Sequence, residues 1–330
     1  MMKRILWITT GGTIASMPSD DGLVPQLTSQ ELLGLFGGID GDYEVQAYDL
    51  FDLDSSNIQP EEWRMIAQCI ADKYRDYDGI VLTHGTDTMA YTASMLSYLL
   101  RDLPVPVVFT GSQMPIQEPL SDAMGNLRCA FAMATSGVPG VYVAFDRKII
   151  LGTRAVKVRT TAFDAFESVN CPCAAVVNAK GLQLEVIPRR PRIPFRQVDP
   201  FCDRVFLIKL IPGFDPKVFD MLLQMDYKGV VIEAFGAGGL HFIRRDLISQ
   251  LEKLVDHGVA VVVCSQCLYE RCDFSLYQTG RKALEKGVIQ TYDMTTEAVV
   301  TKLMWALGVS DSLTQVREMF ATDYVGEVTL

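Results

Sequence analysis

Short apolar runs alternate with segments of helical periodicity along most of the chain. The runs have the length of buried strands, and the segments between them place apolar residues on one face. Strands are predicted at 4–8, 44–50, 79–83, 105–109 and 140–145. Helices are predicted at 29–36, 61–74, 88–100 and 122–135. This alternation predicts an α/β fold with a doubly wound, mostly parallel sheet.

A second, smaller α/β region is predicted beyond a proline-rich, basic stretch without periodicity. That stretch, 187–203, is interpreted as a linker between an N-terminal domain at 1–186 and a C-terminal domain at 204–330. Strands of the C-terminal domain are predicted at 205–210, 229–234 and 259–264. Its helices are predicted near 215–225, 246–257, 278–286, 294–307 and 311–320.

The ends of the first four predicted strands carry hydroxyl or carboxyl side chains. Thr86 and Asp87 follow the strand at 79–83 and precede a helix start, where unpaired N–H groups can bind an anion. The turn after 4–8 has the same build and contains Thr13. Parallel strands end at one edge of a sheet, so we expect these turns to lie side by side. A purely structural interpretation is also open, because Thr and Asp favour turns and helix caps.

Composition and charge narrow the class of partner. The 330 residues are 49% hydrophobic, which is enough for a large core, and the formal net charge is −10. An acidic chain offers no electrostatic footprint for nucleic acid or an anionic membrane, so a small molecule is the expected ligand. The first apolar run is too short for a signal peptide and no later run could span a membrane, which predicts a cytoplasmic location.

The cysteines and histidines give little support to a metal centre. The 8 cysteines are scattered through apolar segments and are expected to be thiols, as in a reducing compartment. Cys264 and Cys267 form one C-x-x-C pair with Cys272 nearby, but no second pair and no suitably spaced histidine accompanies them. The 3 histidines are well separated, which disfavours both a His-based metal site and a Ser-His-Asp triad.

Seven short motifs spread over nearly the whole chain form a specific set. They are TGGTIA at 10–15, DSS at 54–56, THGTDTM at 83–89, TGSQ at 110–113 with SD at 121–122, Lys157 ahead of FDAF at 163–166, YDMT at 292–295 and GEVT at 326–329. Together they resemble the motifs of bacterial-type L-asparaginases, most closely the cytoplasmic type I branch. The combination is far more specific than either threonine motif alone.

The resemblance implies an amidohydrolase that converts L-asparagine to L-aspartate and ammonia, with L-glutamine as the alternative substrate. Thr13 would be the nucleophile that forms an acyl-enzyme, and Thr86, Asp87 and Lys157 would relay protons. No metal or organic cofactor is implied. Family members assemble as dimers or tetramers, so a homodimer or homotetramer is expected.

The same resemblance implies how the substrate is held. Ser55, Ser56 and Asp87 would bind its α-carboxylate and α-amino groups, and the turn around Thr86 and Ser112 would position the amide.

Lys157 is the only obvious base for a threonine nucleophile. A threonine hydroxyl is a poor nucleophile until a neighbour takes its proton, whereas a lysine is mostly charged at neutral pH. Burial would favour the neutral amine, and Asp87 would oppose that effect. Two alternatives stay open: Lys157 acts through its positive charge, or it is a surface lysine next to Arg159.

Two positions depart from the pattern of the resembled family. Leu23 stands where a tyrosine usually orients the nucleophile, in a segment at 16–28 that is predicted to be a loop closing over the substrate. The glycine-rich turn FGAGG at 235–239 lacks the asparagine of many relatives, so no residue of the C-terminal domain is assigned to the site.

Two other functions are compatible with the motifs. A glutamyl-tRNA amidotransferase subunit shares the amidohydrolase module, but it is expected to need a tRNA-binding partner and an added N-terminal domain, and the acidic charge speaks against it. A catalytically silent amino-acid-binding protein on the same fold is the other alternative, which Leu23 favours. Ammonia release from asparagine and glutamine discriminates between these functions.

Overall fold

The computed structural model describes residues 2–19, 22–37, 43–186 and 193–330, which fold into two compact units. The units are Met1–Val198 and Asp199–Leu330, and each has its own sheet and hydrophobic core. The larger unit carries a mostly parallel sheet and the smaller one a parallel sheet with helices, which confirms the predicted fold class.

The N-terminal unit is built around a large mixed sheet. Its strands are β1 (Lys3–Gly11), β2 (Ser16–Ser19), β3 (Gly22–Pro25), β4 (Tyr43–Leu53), β5 (Gly79–Thr83), β6 (Pro106–Thr110), β7 (Gly140–Phe145), β8 (Lys148–Leu151), β9 (Ala155–Lys157), β10 (Phe166–Ser168), β11 (Ala175–Asn178) and β12 (Gly181–Leu184). Its helices are α1 (Ser29–Phe36), α2 (Pro60–Lys73), α3 (Met89–Leu99) and α4 (Ala123–Ala134). Within the described residues the large sheet has the order β12-β11-β8-β7-β6-β5-β1-β4.

Strands β4, β1, β5 and β6 are parallel neighbours in this sheet. Strands β5 and β6 are buried along their whole length, as near-continuous apolar runs predict for a parallel sheet covered on both faces. Because the four strands run in one direction, the turns that follow them lie along a single edge. The expectation drawn from the strand ends is therefore confirmed.

Several parts of the N-terminal unit differ from the sequence-based prediction, among them the antiparallel pair β9–β10, which was not predicted. The segment at 16–28, predicted as a loop, contains the antiparallel pair β2–β3, in which Leu23 lies opposite Pro18. These strands pair with each other and not with the large sheet, so they lack the apolar pattern of core strands. Residues 20–21 lie outside the described residues, and the closing movement of this segment stays a prediction.

The antiparallel strands β8, β11 and β12 were also not predicted. The turn from β7 to β8 passes through Asp146 and Arg147, whose φ angles are 44° and 63°. Turns of this kind are usually signalled by Asn-Gly or Asp-Gly, and here neither residue is a glycine. The sequence therefore lacks the usual mark of this hairpin.

The C-terminal unit has a smaller parallel sheet. Its strands are β13 (Val205–Lys209), β14 (Gly229–Ala234), β15 (Ala260–Ser265) and β16 (Ile289–Gln290), paired in that order. Its helices are α5 (Val218–Gln224), α6 (Leu247–Asp256), α7 (Gln278–Glu285), α8 (Thr296–Val309) and α9 (Leu313–Phe320). In the described part of the chain, no helix is both long enough and apolar enough to cross a membrane.

The predicted linker at 187–203 stays a prediction, because residues 187–192 lie outside the described residues. Its last residues pack on the C-terminal unit: Cys202 N–H donates to Met304 O at 2.8 Å, and Trp305 Nε1 donates to Asp199 Oδ2 at 3.1 Å.

A buried ion pair anchors the end of the chain to α8. Lys302 Nζ lies 2.5 Å from Glu327 Oε1, and both side chains are fully buried. The ammonium group also donates to Thr322 O at 2.8 Å and lies 5.4 Å from the ring centres of Phe320 and Tyr324. Both charges are thus compensated inside the unit.

The carboxyl group of Glu297, in the first turn of α8, gives a prediction for the pH dependence of stability. Its side chain is partly exposed, but burial of the carboxyl and the nearby Glu233 carboxylate raise its pKa from 4.5 to about 7. Glu233 itself accepts from Thr296 Oγ1 at 2.7 Å and lies 3.7 Å from Lys209 Nζ. A rise of the pKa from 4.5 to about 7 corresponds to roughly 3 kcal/mol.

We expect this contribution to be complete below the unfolded pKa of 4.5 and to be lost as pH rises through about 7, because the folded state holds the proton more tightly. Glu297→Gln should therefore unfold less readily than the parent above about pH 7 and equally readily near pH 4.5. Urea titrations at several pH values, with hydrogen exchange of α8 as the probe of unfolding, measure the difference in unfolding free energy between the variants and the parent. Glu318→Gln, an exposed change on α9, is the control. A pH dependence that is equal in all three proteins would contradict the prediction.

Candidate active site

Lys157, Thr86 and Asp87 form one hydrogen-bonded group. Lys157 Nζ lies 2.8 Å from Thr86 Oγ1 and 2.6 Å from Asp87 Oδ1. Thr86 is buried, the Lys157 side chain is 15% exposed and that of Asp87 is 64% exposed. Lys157 is thus a partner of two side chains in the turn after β5 and not a freely solvated surface lysine. Its neighbour Arg159 pairs elsewhere, with Glu167 Oε1 at 2.9 Å.

Thr13 is the first residue of a short 3-10 turn, Thr13–Ala15, directly after β1. The turn is brought against its neighbours by two glycines with positive φ, Gly11 at 90° and Gly12 at 82°. A Cβ atom on Gly12 would lie 2.4 Å from Gly85 N, so only glycine permits this approach. The segment that carries Thr13 therefore packs on the segment that carries Thr86. Among the described residues, the Thr13 hydroxyl has no hydrogen-bond partner and stays available.

Ser55 joins the turn after β4 to the turn after β5. Its hydroxyl accepts from Asp87 N–H at 3.2 Å, and its carbonyl accepts from Thr88 Oγ1 at 2.7 Å. A Cβ atom on Gly85 would lie 2.7 Å from the Ser55 side chain, so these two turns are also in direct contact. Ser55 is buried beside the group formed by Lys157, Thr86 and Asp87.

Ser56 and Ser112 use their hydroxyl protons within their own turns. Ser56, which is exposed, donates to Asp54 Oδ1 at 2.5 Å. Ser112, which is buried, donates to Met114 O at 2.5 Å. In this arrangement, a substrate could donate a hydrogen bond to the oxygens of these hydroxyls or bind to the backbone of the two turns. Their roles in substrate binding, like that of Ser55, stay predictions.

His84 is a fully buried residue that stabilises the turn after β5. Its Nδ1 lies 2.7 Å from Gly85 O, and since a carbonyl only accepts, Nδ1 carries the proton. Burial lowers the pKa of His84 to about 4, so the ring is neutral at neutral pH. It shapes the backbone that presents Thr86.

Gln113 is a site residue to which the sequence analysis assigned no role. Its Oε1 accepts from Thr86 Oγ1 at 3.3 Å, and its Nε2 donates to Thr160 O at 3.0 Å and Ala162 O at 3.1 Å. The residue belongs to the TGSQ motif, but its amide is uncharged and is neither an acid nor a base, so its residue type does not indicate a role in proton transfer. Its position directly after the strand-end Ser112 was the available signal.

The arrangement suits acyl transfer by a hydroxyl nucleophile. Two threonine hydroxyls, one available and one bonded to a lysine, lie on adjacent turns at the carboxyl edge of a parallel sheet. Within 2–19, 22–37, 43–186 and 193–330 there is no group of three His, Cys, Asp or Glu that could hold a metal ion. The eight cysteines are free thiols.

Two family models cover most of the chain. Residues 4–190 match the N-terminal asparaginase domain and residues 204–320 match the C-terminal domain of glutaminases and asparaginases.

Individual relatives match nearly the whole of this chain. An L-asparaginase of Thermococcus kodakarensis is 43% identical over 99% of both chains. A solved structure of the thermostable L-asparaginase from the same organism is 41% identical and superposes with a TM-score of 0.94 over 99% of both chains. A glutamyl-tRNA(Gln) amidotransferase subunit of Pyrococcus abyssi is 39% identical over 99% of this chain and 77% of its own. L-asparaginase I from Vibrio cholerae has a TM-score of 0.88 at 31% identity, with both chains fully covered. The chain therefore belongs to the asparaginase family.

Proposed function

We propose that this protein hydrolyses the side-chain amide of L-asparagine to L-aspartate and ammonia. The observation that carries the proposal is the bonding of Lys157 to both Thr86 and Asp87 beside the turn with Thr13. The 43% identity with an L-asparaginase over nearly the whole chain supports the same substrate.

The reaction proceeds in two halves. In the first, Thr13 Oγ1 attacks the amide carbon while its proton is taken up by the relay, and the leaving nitrogen receives a proton as the C–N bond breaks. This gives ammonia and an ester of Thr13. In the second half, water attacks the ester, its proton returns to Thr13 Oγ1, and aspartate is released. Proton transfer by positioned groups contributes about 100- to 10,000-fold to such steps.

Thr86 is the bridge of the relay. Its hydroxyl lies within hydrogen-bond distance of Lys157, and it occupies the turn against which the Thr13 segment packs. Lys157 supplies or removes the proton at Thr86 Oγ1, and Asp87 compensates the charge of the lysine from 2.6 Å. The exposed carboxylate of Asp87 also suits the α-ammonium group of the substrate, while Ser55, Ser56 and the Ser112 turn hold its carboxylate and amide.

The finer assignment is to the cytoplasmic type I branch. Similarity to L-asparaginase I from Vibrio cholerae supports the branch, and eight free cysteines suit a reducing compartment. The assembly is a homodimer or homotetramer, which sedimentation equilibrium measures directly.

The function is tested by ammonia release from L-asparagine, L-glutamine and D-asparagine. The highest kcat/KM is expected for L-asparagine. Binding of asparagine in calorimetry without ammonia release would instead identify a silent binding protein.

A second candidate function follows from the 39% identity with the amidotransferase protein of Pyrococcus abyssi. Ammonia release from glutamine only, and only with a partner protein and charged tRNA, would favour it over the asparaginase.

A further inference from the structure

The amide of Gln113 has a fixed orientation. Its Nε2 faces two backbone carbonyls, Thr160 O at 3.0 Å and Ala162 O at 3.1 Å, and carbonyls only accept. If the amide were turned over, its oxygen would face the two carbonyl oxygens. All three atoms are acceptors, so no hydrogen bond could form between them. The oxygen Oε1 must therefore point to Thr86, where it lies 3.3 Å from Oγ1.

This orientation decides which way the Thr86 hydroxyl points. A hydroxyl has one proton, and Gln113 Oε1 can only accept, so that proton is directed to Gln113. The oxygen of Thr86 is then left to accept from Lys157 Nζ at 2.8 Å. The hydrogen bonds run in one direction, from Lys157 to Thr86 to Gln113.

The half-buried carboxylate of Asp122 holds the backbone beside the Gln113 side chain. Both oxygens of Asp122 accept from Gln113 N–H, at 3.0 and 3.1 Å, and Oδ1 also accepts from Met114 N–H at 3.3 Å. Asn126 Nδ2 donates to Asp122 Oδ2 at 2.9 Å and to Gly111 O at 3.0 Å. The backbone of the turn after β6 is thus fixed on both sides of Gln113.

We infer that Gln113 is a positioning residue for the proton relay: it holds the Thr86 proton away from Lys157 and keeps Thr86 Oγ1 as the acceptor of the lysine proton. The inference rests on the proposed function and deepens it. When the leaving nitrogen arrives, the Thr86 O–H turns from Gln113 and donates to that nitrogen, while a Lys157 N–H proton passes to Thr86 Oγ1. One O–H and one N–H bond break, and one of each forms, so Thr86 ends as a hydroxyl and Lys157 as a neutral amine, which takes up the proton released by Thr13. An arrangement in which Thr86 donates to Lys157 would block this transfer.

The test compares Gln113→Met, Gln113→Glu and the parent. Methionine has a similar shape but no strong acceptor for Thr86, so we expect kcat for asparagine to fall about 10- to 100-fold with little change in KM. Glutamate keeps an oxygen acceptor but loses the amide donors, so its kcat should lie between those of the parent and Gln113→Met. This rescue and the change in kcat without KM are not expected from a purely structural role.

A matched control separates the loss of carbonyl contacts from the loss of the Thr86 contact. Gln183 Nε2 also donates to two carbonyls, Lys180 O at 3.2 Å and Leu182 O at 3.1 Å, but on β12 at the other end of the sheet order. Gln183→Met should keep the parent kcat and KM.

The outcomes distinguish this inference from the proposed function. An active parent together with an active Gln113→Met variant overturns the inference alone. The inference alone is also overturned if kcat of Gln113→Glu is no higher than that of Gln113→Met. It is likewise overturned if KM of Gln113→Met rises by the same factor as kcat falls. A parent that releases no ammonia from asparagine overturns the proposed function and the inference with it.

Discussion

Replacing Thr86 with alanine is expected to lower kcat for asparagine at least about 100-fold, the usual cost of losing positioned proton transfer. The hydroxyl is the atom group that links Lys157 with Gln113, at 2.8 and 3.3 Å, and alanine cannot replace it. Folding should be little affected, because Lys157 keeps its ion pair with Asp87. Ammonia release and thermal unfolding measure the two effects. Thr13→Ala and Lys157→Met should lose activity to a similar degree.

Thr135→Ala is the control for the loss of a threonine hydroxyl. Its Oγ1 donates only to the backbone of α4, to Phe131 O and Ala132 O, each at 3.0 Å. Parent kcat is expected for this variant. If Thr86→Ala keeps more than about a tenth of the parent kcat, Thr86 is not the bridge of the relay.

Replacing Lys302 with methionine is expected to lower the free energy of unfolding of the C-terminal unit by about 3–5 kcal/mol. The change removes the ammonium group that lies 2.5 Å from Glu327 Oε1 and leaves the Glu327 carboxylate buried without its cation. Combining it with Glu327→Gln should recover much of the loss, because the amide oxygen can still accept from Tyr324 and Val325 N–H. Urea unfolding, with hydrogen exchange of α8 as the probe, gives the free energies of unfolding.

The exposed pair of Lys253 and Asp220 provides the comparison. Its charged atoms are 2.7 Å apart, much as in the buried pair, but the side chains are 47% and 44% exposed. Lys253→Met should cost no more than about 1 kcal/mol. Equal costs for Lys253→Met and Lys302→Met would mean that burial does not set the strength of the Lys302 pair.

Regular elements were predictable where the pattern was dictated by burial. Strands β5 and β6 are apolar at almost every position because both faces of the sheet are covered, and α2 shows a clear apolar face with Trp63 and Ile66 buried. The strand β8 was missed because the turn at Asp146 and Arg147 contains no glycine. The hairpin β2–β3 was missed because it packs outside the large sheet and needs no apolar alternation.

The site was predictable only in part. Lys157 and Thr86 are 71 positions apart in the sequence, and no periodicity predicts their contact. Only the resemblance of the motifs to those of a known family linked them. Adjacency of the Thr13 and Thr86 turns followed from the parallel strand order. The direction of the Gln113 amide could not be foreseen, because it depends on the carbonyls of Thr160 and Ala162, which belong to an irregular segment.

The contacts between neighbouring turns also limit how this enzyme can acquire new specificity. Gly12 meets Gly85, Gly85 meets Ser55, and a Cβ atom on Gly111 would lie 2.4 Å from His84 O. Any larger residue at these glycines would push the neighbouring turns apart. We therefore expect that directed evolution at these glycines yields mostly inactive variants. The hairpin β2–β3 is not built into the large sheet, and although the φ of Gly22 is 105°, a Cβ atom there would meet no other atom within 4 Å. Substrate range should therefore be altered most readily by libraries confined to that hairpin.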